Sequence, residues 1–224
     1  SHNALSHNKN INYLFRYALI PWSEPIEWFR RHSVLHHQFT NTKLDPDFQS
    51  SSDNLFVRHH KSVPYHFAMK LQILTISLYS MVMPFFYNIS YITIIQITII
   101  GLHYYIHSSL SSSVLPFIVF GTIFIFITQL NHIQDHAISD IILDKPADFV
   151  VHQMKSCINY SFDNYLITSL TIFLNYQTYH HLFPNVSHFH FLTIRHEIDE
   201  VISKYNNIQT CSFRDIVKNY FLYI

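Results

Sequence analysis

From Leu71 to Gln134 the chain carries no Asp, Glu, Lys or Arg, and its apolar residues fall into three blocks at about 66–86, 90–107 and 113–131. Each block is near the length at which a helix rising about 1.5 Å per residue crosses roughly 30 Å of hydrocarbon. Polar breaks divide them at Pro84–Ser90 and at Ser108–Ser113, where Ser-Ser-Leu-Ser-Ser-Ser predicts a short loop. Residues 165–175 are apolar again, but about eleven residues cannot span a bilayer, so this block predicts an entry to the polar motif that follows. Beyond Phe191, apolar positions recur at helical spacing (Ile194, Ile198, Val201, Ile202, Tyr205) with Arg195, Glu197, Asp199, Glu200 and Lys204 on other faces. This predicts a solvated amphipathic tail helix reaching to Ile224. The stretches 45–54 and 135–163 are polar and predict loops and a connection.

Composition sharpens the membrane reading. Charged residues are 12% against 49% hydrophobic and 17% aromatic, about half the charge of an ordinary soluble domain. Formal net charge is zero, which leaves no basic stripe for a nucleic acid. A length of 224 residues predicts one domain. Eight Lys or Arg precede Leu71 and six follow Asp144, so both flanks read as cytoplasmic. Flanks on one side require an even number of crossings between them. The block 66–86, bearing Lys70 and Gln72 and preceded by His59-His60-Lys61, is therefore expected to lie at the interface, leaving 90–107 and 113–131 as a transmembrane hairpin. Cys157 and Cys211 lack C-x-x-C spacing and read as free thiols. The chain opens on Ser-His-Asn without the pattern of a signal peptide, as a cut end would.

The candidate chemistry lies in 18 histidines. Three groups stand out: His32, His36 and His37 in Arg-His-Ser-Val-Leu-His-His; His132 in Thr-Gln-Leu-Asn-His-Ile; and Gln177, His180 and His181 in Gln-Thr-Tyr-His-His-Leu-Phe-Pro. On a helix, i, i+3 and i, i+4 spacing gathers Gln177, His180 and His181 on one broad face, and likewise His32 and His36. Adjacent histidines diverge by roughly 100° on an α-helix, so each pair serves two metals more easily than one. Neutral imidazole ligates iron, zinc or copper. Six imidazoles with few carboxylates exceed what a zinc hydrolase needs and point to two irons, whose use is O₂ activation against an unactivated C–H bond. His59, His60, His66, His136, His152, His188, His190 and His196 read as surface or interfacial, and His7 as a polar non-ligand. His103 and His107, i and i+4 on an apolar helix, stay open between function and lining.

The motifs Trp28-Phe-Arg-Arg-His-Ser-Val-Leu-His-His-Gln-Phe-Thr-Asn with Asp45-Pro46-Asp47, then Thr128-Gln-Leu-Asn-His-Ile, then Asn175-Tyr-Gln-Thr-Tyr-His-His-Leu-Phe-Pro, resemble the membrane fatty acid desaturases in order, spacing and flanks. The likeness is to the front-end (Δ5/Δ6-type) branch, whose third histidine box begins with Gln, as Gln177 does here. It covers essentially the whole chain. The resemblance implies an all-α, integral membrane helical bundle with a cytosolic histidine-lined di-iron cap built from about 1–65 and 132–224. It implies iron ligation by His32, His36, His37, His132, His180 and His181, with Gln177 as a near ligand. In the family the first box reads His-Asp-x-x-His, and Ser1-His2-Asn3 resembles its end, so His2 is the implied ligand there and an N-terminally truncated fragment is expected.

The same resemblance implies two iron ions, O₂ as co-substrate, a lipid acyl chain (acyl-CoA or phospholipid) as substrate, cytochrome b5 and its reductase as electron donors, and the endoplasmic reticulum membrane with the site on the cytosolic face. A di-iron hydroxylase, a sphingolipid desaturase and a non-catalytic metal-binding relative remain alternatives at this stage.

Overall fold

A computed structural model describes residues 2, 4, 6–15, 25–42, 44–47, 71–74, 78, 91–135, 137, 148–205 and 208–224. Side-chain polar groups set many of the element starts. Ser109, Asp148, Asn164 and Ser212 each accept the backbone N–H three residues on, capping the helices Leu110–Leu130 (α5), Phe149–Ser156 (α6), Tyr165–Leu170 (α7) and Phe213–Tyr223 (α10). The other helices are Lys9–Phe15 (α1), Pro25–Trp28 (α2), the single turn His37–Phe39 (α3), Tyr91–His107 (α4), Gln177–Leu182 (α8) and Phe191–Ile202 (α9). Between α2 and α3 the backbone is a π-helix over Phe29–His36. The fold is mostly helical as expected, apart from a parallel two-residue pairing of Asn159–Tyr160 (β1) with Thr210–Cys211 (β2), in register Asn159 to Thr210.

Helices α4 and α5 pack on each other and are joined by two residues. The loop expected over Ser108–Ser113 is correspondingly shorter: Ser108 turns at φ 51°, Ser109 caps, and Ser111–Ser113 already lie inside α5. Serine makes a helix start through its side chain, so a serine run signals a cap as readily as a loop. Among the described residues only α5 is long and apolar enough to cross a membrane, with 21 residues and mean hydropathy 2.2 over its best window. That is about 31 Å of helix. Its apolar residues Leu115, Val119, Phe120 and Ile123 are exposed, as are Ile94, Ile97, Leu102 and Ile106 of α4. Of the expected interfacial block 66–86 only residues 71–74 and 78 are described. Gln72, whose polarity suggested an interfacial place, is buried, its Nε2 donating to Gln129 Oε1 and to the Tyr220 hydroxyl. Of the connection expected over 135–163, residues 136 and 138–147 lie outside the described residues, and the described part includes α6 and β1 rather than loop alone.

The predicted single tail helix is two. Helix α9 ends at Ile202, β2 pairs with β1, and α10 turns back so that Ile216, Tyr220 and Tyr223 bury against Leu130 and Ile133 at the end of α5. The strand pairing interrupts a helical pattern that periodicity alone extends. A second core holds Met154, Tyr176, Tyr179, Phe191, Ile198 and Ile202 behind α8. Buried amides stitch the two together. Asn41 Nδ2 donates to the carbonyls of His132, Ala137 and Ser156; Asn131 Nδ2 reaches Leu174 O; and Asn175 Nδ2 reaches Tyr160 O and Thr168 Oγ1. These bonds fix the π-helix, the end of α5 and α8 around one small volume.

Candidate metal centre

The π-helix is the first local cause of the site. Its i→i+5 pattern widens each turn beyond the 3.6 residues of an α-helix, so His32 can share a face with both His36 and His37. The α-helical geometry expected for this segment is thereby corrected, in the direction that favours convergence. Asn41, in the left-handed region at φ 56°, then reverses the chain. Asn tolerates that conformation, and the reversal carries Asp45-Pro46-Asp47 back onto the histidines.

The eight residues named from the sequence as ligands or near ligands, His2, His32, His36, His37, His132, Gln177, His180 and His181, come together. Ligand-capable atoms of His2, His32, His37 and His180 lie within 4.8 Å of one another, and those of His36, His132 and His181 form a second such group. Both adjacent pairs, His36-His37 and His180-His181, are divided between the groups. The groups touch along the stacked rings of His37 and His181, whose centroids are 4.2 Å apart. Within the first group the His2 ring stands 4.6 Å from those of His37 and His180; within the second, His36, His132 and His181 are 4.8 to 5.0 Å apart. Gln177 lies beside the second group, its amide Nε2 2.8 Å from His132 Nε2 and its oxygen held by Asn131 Nδ2. His7 is exposed, and His103 and His107 stand apart on α4.

Outer partners fix which nitrogen faces inward in five of the seven rings. His36 Nδ1 donates to Asp45, which is fully buried and also accepts the backbone N–H groups of Asn41 and Asp47. His32 Nδ1 donates to Asp47, itself approached by Arg31. His132 Nδ1 donates to the Ser156 carbonyl, and His181 Nδ1 to Gln153 Oε1, whose amide in turn holds the His37 carbonyl. Thr40 Oγ1 lies among His36 O, Gln153 Oε1 and His181 Nδ1. His180 Nδ1 is 2.8 Å from His188 Nε2.

Sequence reasoning missed this ring of support. Asp45 and Asp47 were visible only as part of a motif, Gln153 had no signal, and His152 and His188 had read as surface. His152 instead donates to the Thr40 carbonyl at 2.7 Å, and His188 is turned inward by a 3₁₀ turn while His190, two residues on, stays exposed.

Burial, reinforced by neighbouring rings, holds His2, His37, His132, His180 and His181 well below the ordinary imidazole range. Burial also lowers His32 against the pull of Asp47, and brings His188 to about 4. At His36 burial is outweighed by the Asp45 and Asp47 carboxylates, and the net shift is upward. Most of these rings are thus neutral near pH 7, the form that ligates. Four ring nitrogens, His2 Nε2, His37 Nδ1 and Nε2, and His181 Nε2, are buried without a hydrogen-bond partner. A buried, unpaired polar atom costs about 1–3 kcal/mol, and seven imidazoles gathered this way are the donor set of a cation.

Comparison with known proteins adds the lineage. Residues 1–212 match the fatty acid desaturase family. The chain belongs to that family. Among curated relatives, it is similar to an acyl-lipid (8-3)-desaturase of Mortierella alpina, 43% identical over 58 residues, covering 26% of this chain and 13% of that one. It is also similar to an sn-1 linoleoyl-lipid 6-desaturase of Arthrospira platensis, 24% identical over 216 residues, covering 80% of this chain and 57% of that one. The chain thus spans little more than half the length of the second relative and far less of the first. No solved structure matches. The front-end-like desaturase resemblance read from the histidine motifs agrees with these relatives.

Proposed function

We propose that the chain is the catalytic part of an O₂-dependent fatty acyl desaturase that places a cis double bond in a lipid acyl chain. The observation that carries this reading is the division of His36-His37 and His180-His181 between two histidine groups that include four buried, unpartnered ring nitrogens. Two iron ions are assigned to the groups: one to His2, His32, His37 and His180, the other to His36, His132 and His181 with Gln177 beside them. Bound there, the irons would supply the oxidant for an unactivated C–H bond, which side chains lack.

The protein's own part is positional. Asp45, Asp47, Gln153 and the Ser156 carbonyl hold the ligand rings in one tautomer, as outer partners of metal-binding histidines do. The buried cluster keeps bulk water from the reacting carbon. Overall, –CH₂–CH₂– with O₂, two electrons and two protons becomes –CH=CH– and two waters, so an external donor is needed; cytochrome b5 with its reductase is the proposed source. The names of both relatives favour an acyl lipid over a coenzyme A ester as substrate. Helices α4 and α5 are proposed as the transmembrane hairpin, which sets the cluster at the cytosolic end of α5. An endoplasmic reticulum location is proposed with it.

Fatty-acid methyl-ester analysis of yeast expressing the full-length gene, beside the same gene carrying His180→Ala, tests the reading. A new unsaturated species that appears only without the substitution supports desaturation, and its double-bond position gives the regiochemistry. A hydroxylated species in its place would establish the hydroxylase alternative, and no new species from well-expressed protein would remove the proposal's main support.

A further inference from the structure

We infer that His188 is a positioning residue of the metal centre, the acceptor that fixes the His180 ring, an assignment that rests on the two-metal reading above. Five ligand-group rings have an outer partner: Asp45 for His36, Asp47 for His32, Gln153 for His181, the Ser156 carbonyl for His132, and His188 for His180. Four of those partners are oxygens that can only accept. The fifth is an imidazole, and its role follows from counting protons.

A neutral imidazole carries one N–H, and a nitrogen that faces a cation must be bare. With Nε2 of His180 turned to the cluster of His2, His32 and His37, its Nδ1 carries the proton. The 2.8 Å contact then requires His188 Nε2 to be the bare acceptor and His188 Nδ1 to carry a hydrogen. The Ile172 carbonyl lies 3.4 Å from that Nδ1, a long contact with the polarity the argument demands, since a carbonyl only accepts.

The turn that presents this carbonyl is itself unusual. Ile172 and Phe173 both lie in the left-handed region, at φ 52° and 61°. A β-branched residue there is an outlier, and such strain persists only where the surroundings impose it. The turn closes by a Phe173 N–H bond to Thr168 O and aims the Ile172 carbonyl at His188 from behind α8. On the other side the His188 ring stacks on Phe191, which is fully buried. Backbone, His188 and His180 thus form one chain of oriented groups ending at the cluster. The sequence shows Ser-His-Phe-His with two histidines of equal standing, and only the fold selects the first.

The test compares His188→Gln, whose side-chain oxygen can accept from His180, with His188→Phe, which retains an aromatic ring against Phe191 but cannot accept. Each protein is purified in detergent and titrated anaerobically with ferrous ammonium sulfate, and Mössbauer spectra are recorded on ⁵⁷Fe-loaded samples. The Phe variant is expected to bind one of its two Fe(II) ions about 10- to 100-fold more weakly, the range for loss of an outer-shell partner. The quadrupole doublet of that ion should change while the other is kept. The Gln variant should stay within about threefold of wild type, under the tenfold that 1.4 kcal/mol represents.

Equal affinities and spectra for the Phe variant and wild type overturn the assignment, as does equal weakening of the Gln and Phe variants, which would mark a packing role. Should the Phe variant not fold, His188→Leu, equally without an acceptor, takes its place. A wild-type protein that binds no Fe(II) sinks the iron reading and this assignment together, whereas two tight ions in both wild type and the Phe variant sink the assignment alone.

Discussion

Replacing Asp45 with Asn changes one atom at the most constrained point of the outer ring. The Asp45 carboxylate is fully buried and accepts from His36 Nδ1 at 2.9 Å, from Asn41 N at 2.8 Å and from Asp47 N at 2.9 Å. Asn offers a single oxygen, so whichever way its amide turns, an NH₂ group faces one of these N–H donors. At least one hydrogen bond to a charged acceptor is lost, worth about 1.5–3 kcal/mol, and a buried donor is left unpaired at a further ~1–3 kcal/mol. Local relaxation recovers part of this, and a net cost of about 2–4 kcal/mol is expected. The loss of charge also removes the larger part of what lifts His36 against burial, Asp47 supplying the rest, and the outer-shell defect should weaken metal binding about 10- to 100-fold.

The assay is thermal unfolding in detergent of metal-free protein, followed by iron titration. Asp163→Asn serves as a control, because the Asp163 side chain is 96% exposed and its ion pair with Arg195 lies at the surface. It should shift stability by less than about 0.5 kcal/mol. If Asp45→Asn melts and binds iron like the control, the reasoning that Asp45 organises this side of the site is refuted.

The metal-free protein should lose stability as pH falls below about 6.5. Unfolded histidines take up protons there, while His2, His32, His37, His132, His180, His181 and His188 resist them in the folded state, so the unfolded chain binds more protons. Each fully resisting group contributes a slope approaching 1.4 kcal/mol per pH unit. His36, raised in the fold, acts in the opposite sense but alone. A melting temperature that stays flat from pH 7.5 to 5 would contradict this.

Asn41→Ala should destabilise by about 3–5 kcal/mol. It strands three carbonyls that share one amide and puts a Cβ without compensating hydrogen bonds at φ 56°. Asn41→Gly, free of the backbone penalty, should lose roughly 1–2 kcal/mol less. Equal melting of the two variants would remove the backbone part of that account.

What was legible in the sequence was the inner set. Histidine spacing marked His32, His36, His37, His132, His180 and His181, and the divergence of adjacent side chains foretold that each pair would be divided. The apolar blocks marked α4 and α5. The outer ring was not legible, because its members meet the ligands through chain reversals that no periodicity encodes. Asp45 arrives by way of the left-handed Asn41, His188 through the 3₁₀ turn beyond Pro184, and Gln153 from a helix more than a hundred residues away from the His37 backbone it holds. The π-helix was missed for a similar reason, since an apolar and histidine pattern this short fits more than one helical period. The break in the tail came from the β1–β2 pairing, a contact distant in sequence.

The central claim is that two histidine groups hold two irons. It is tested most directly by counting iron in the purified protein after anaerobic loading and removal of loosely held metal. The account predicts two iron ions per chain, falling toward one in His132→Ala, which disturbs only the group of His36 and His181. One iron per chain, or none in well-folded protein, would contradict it.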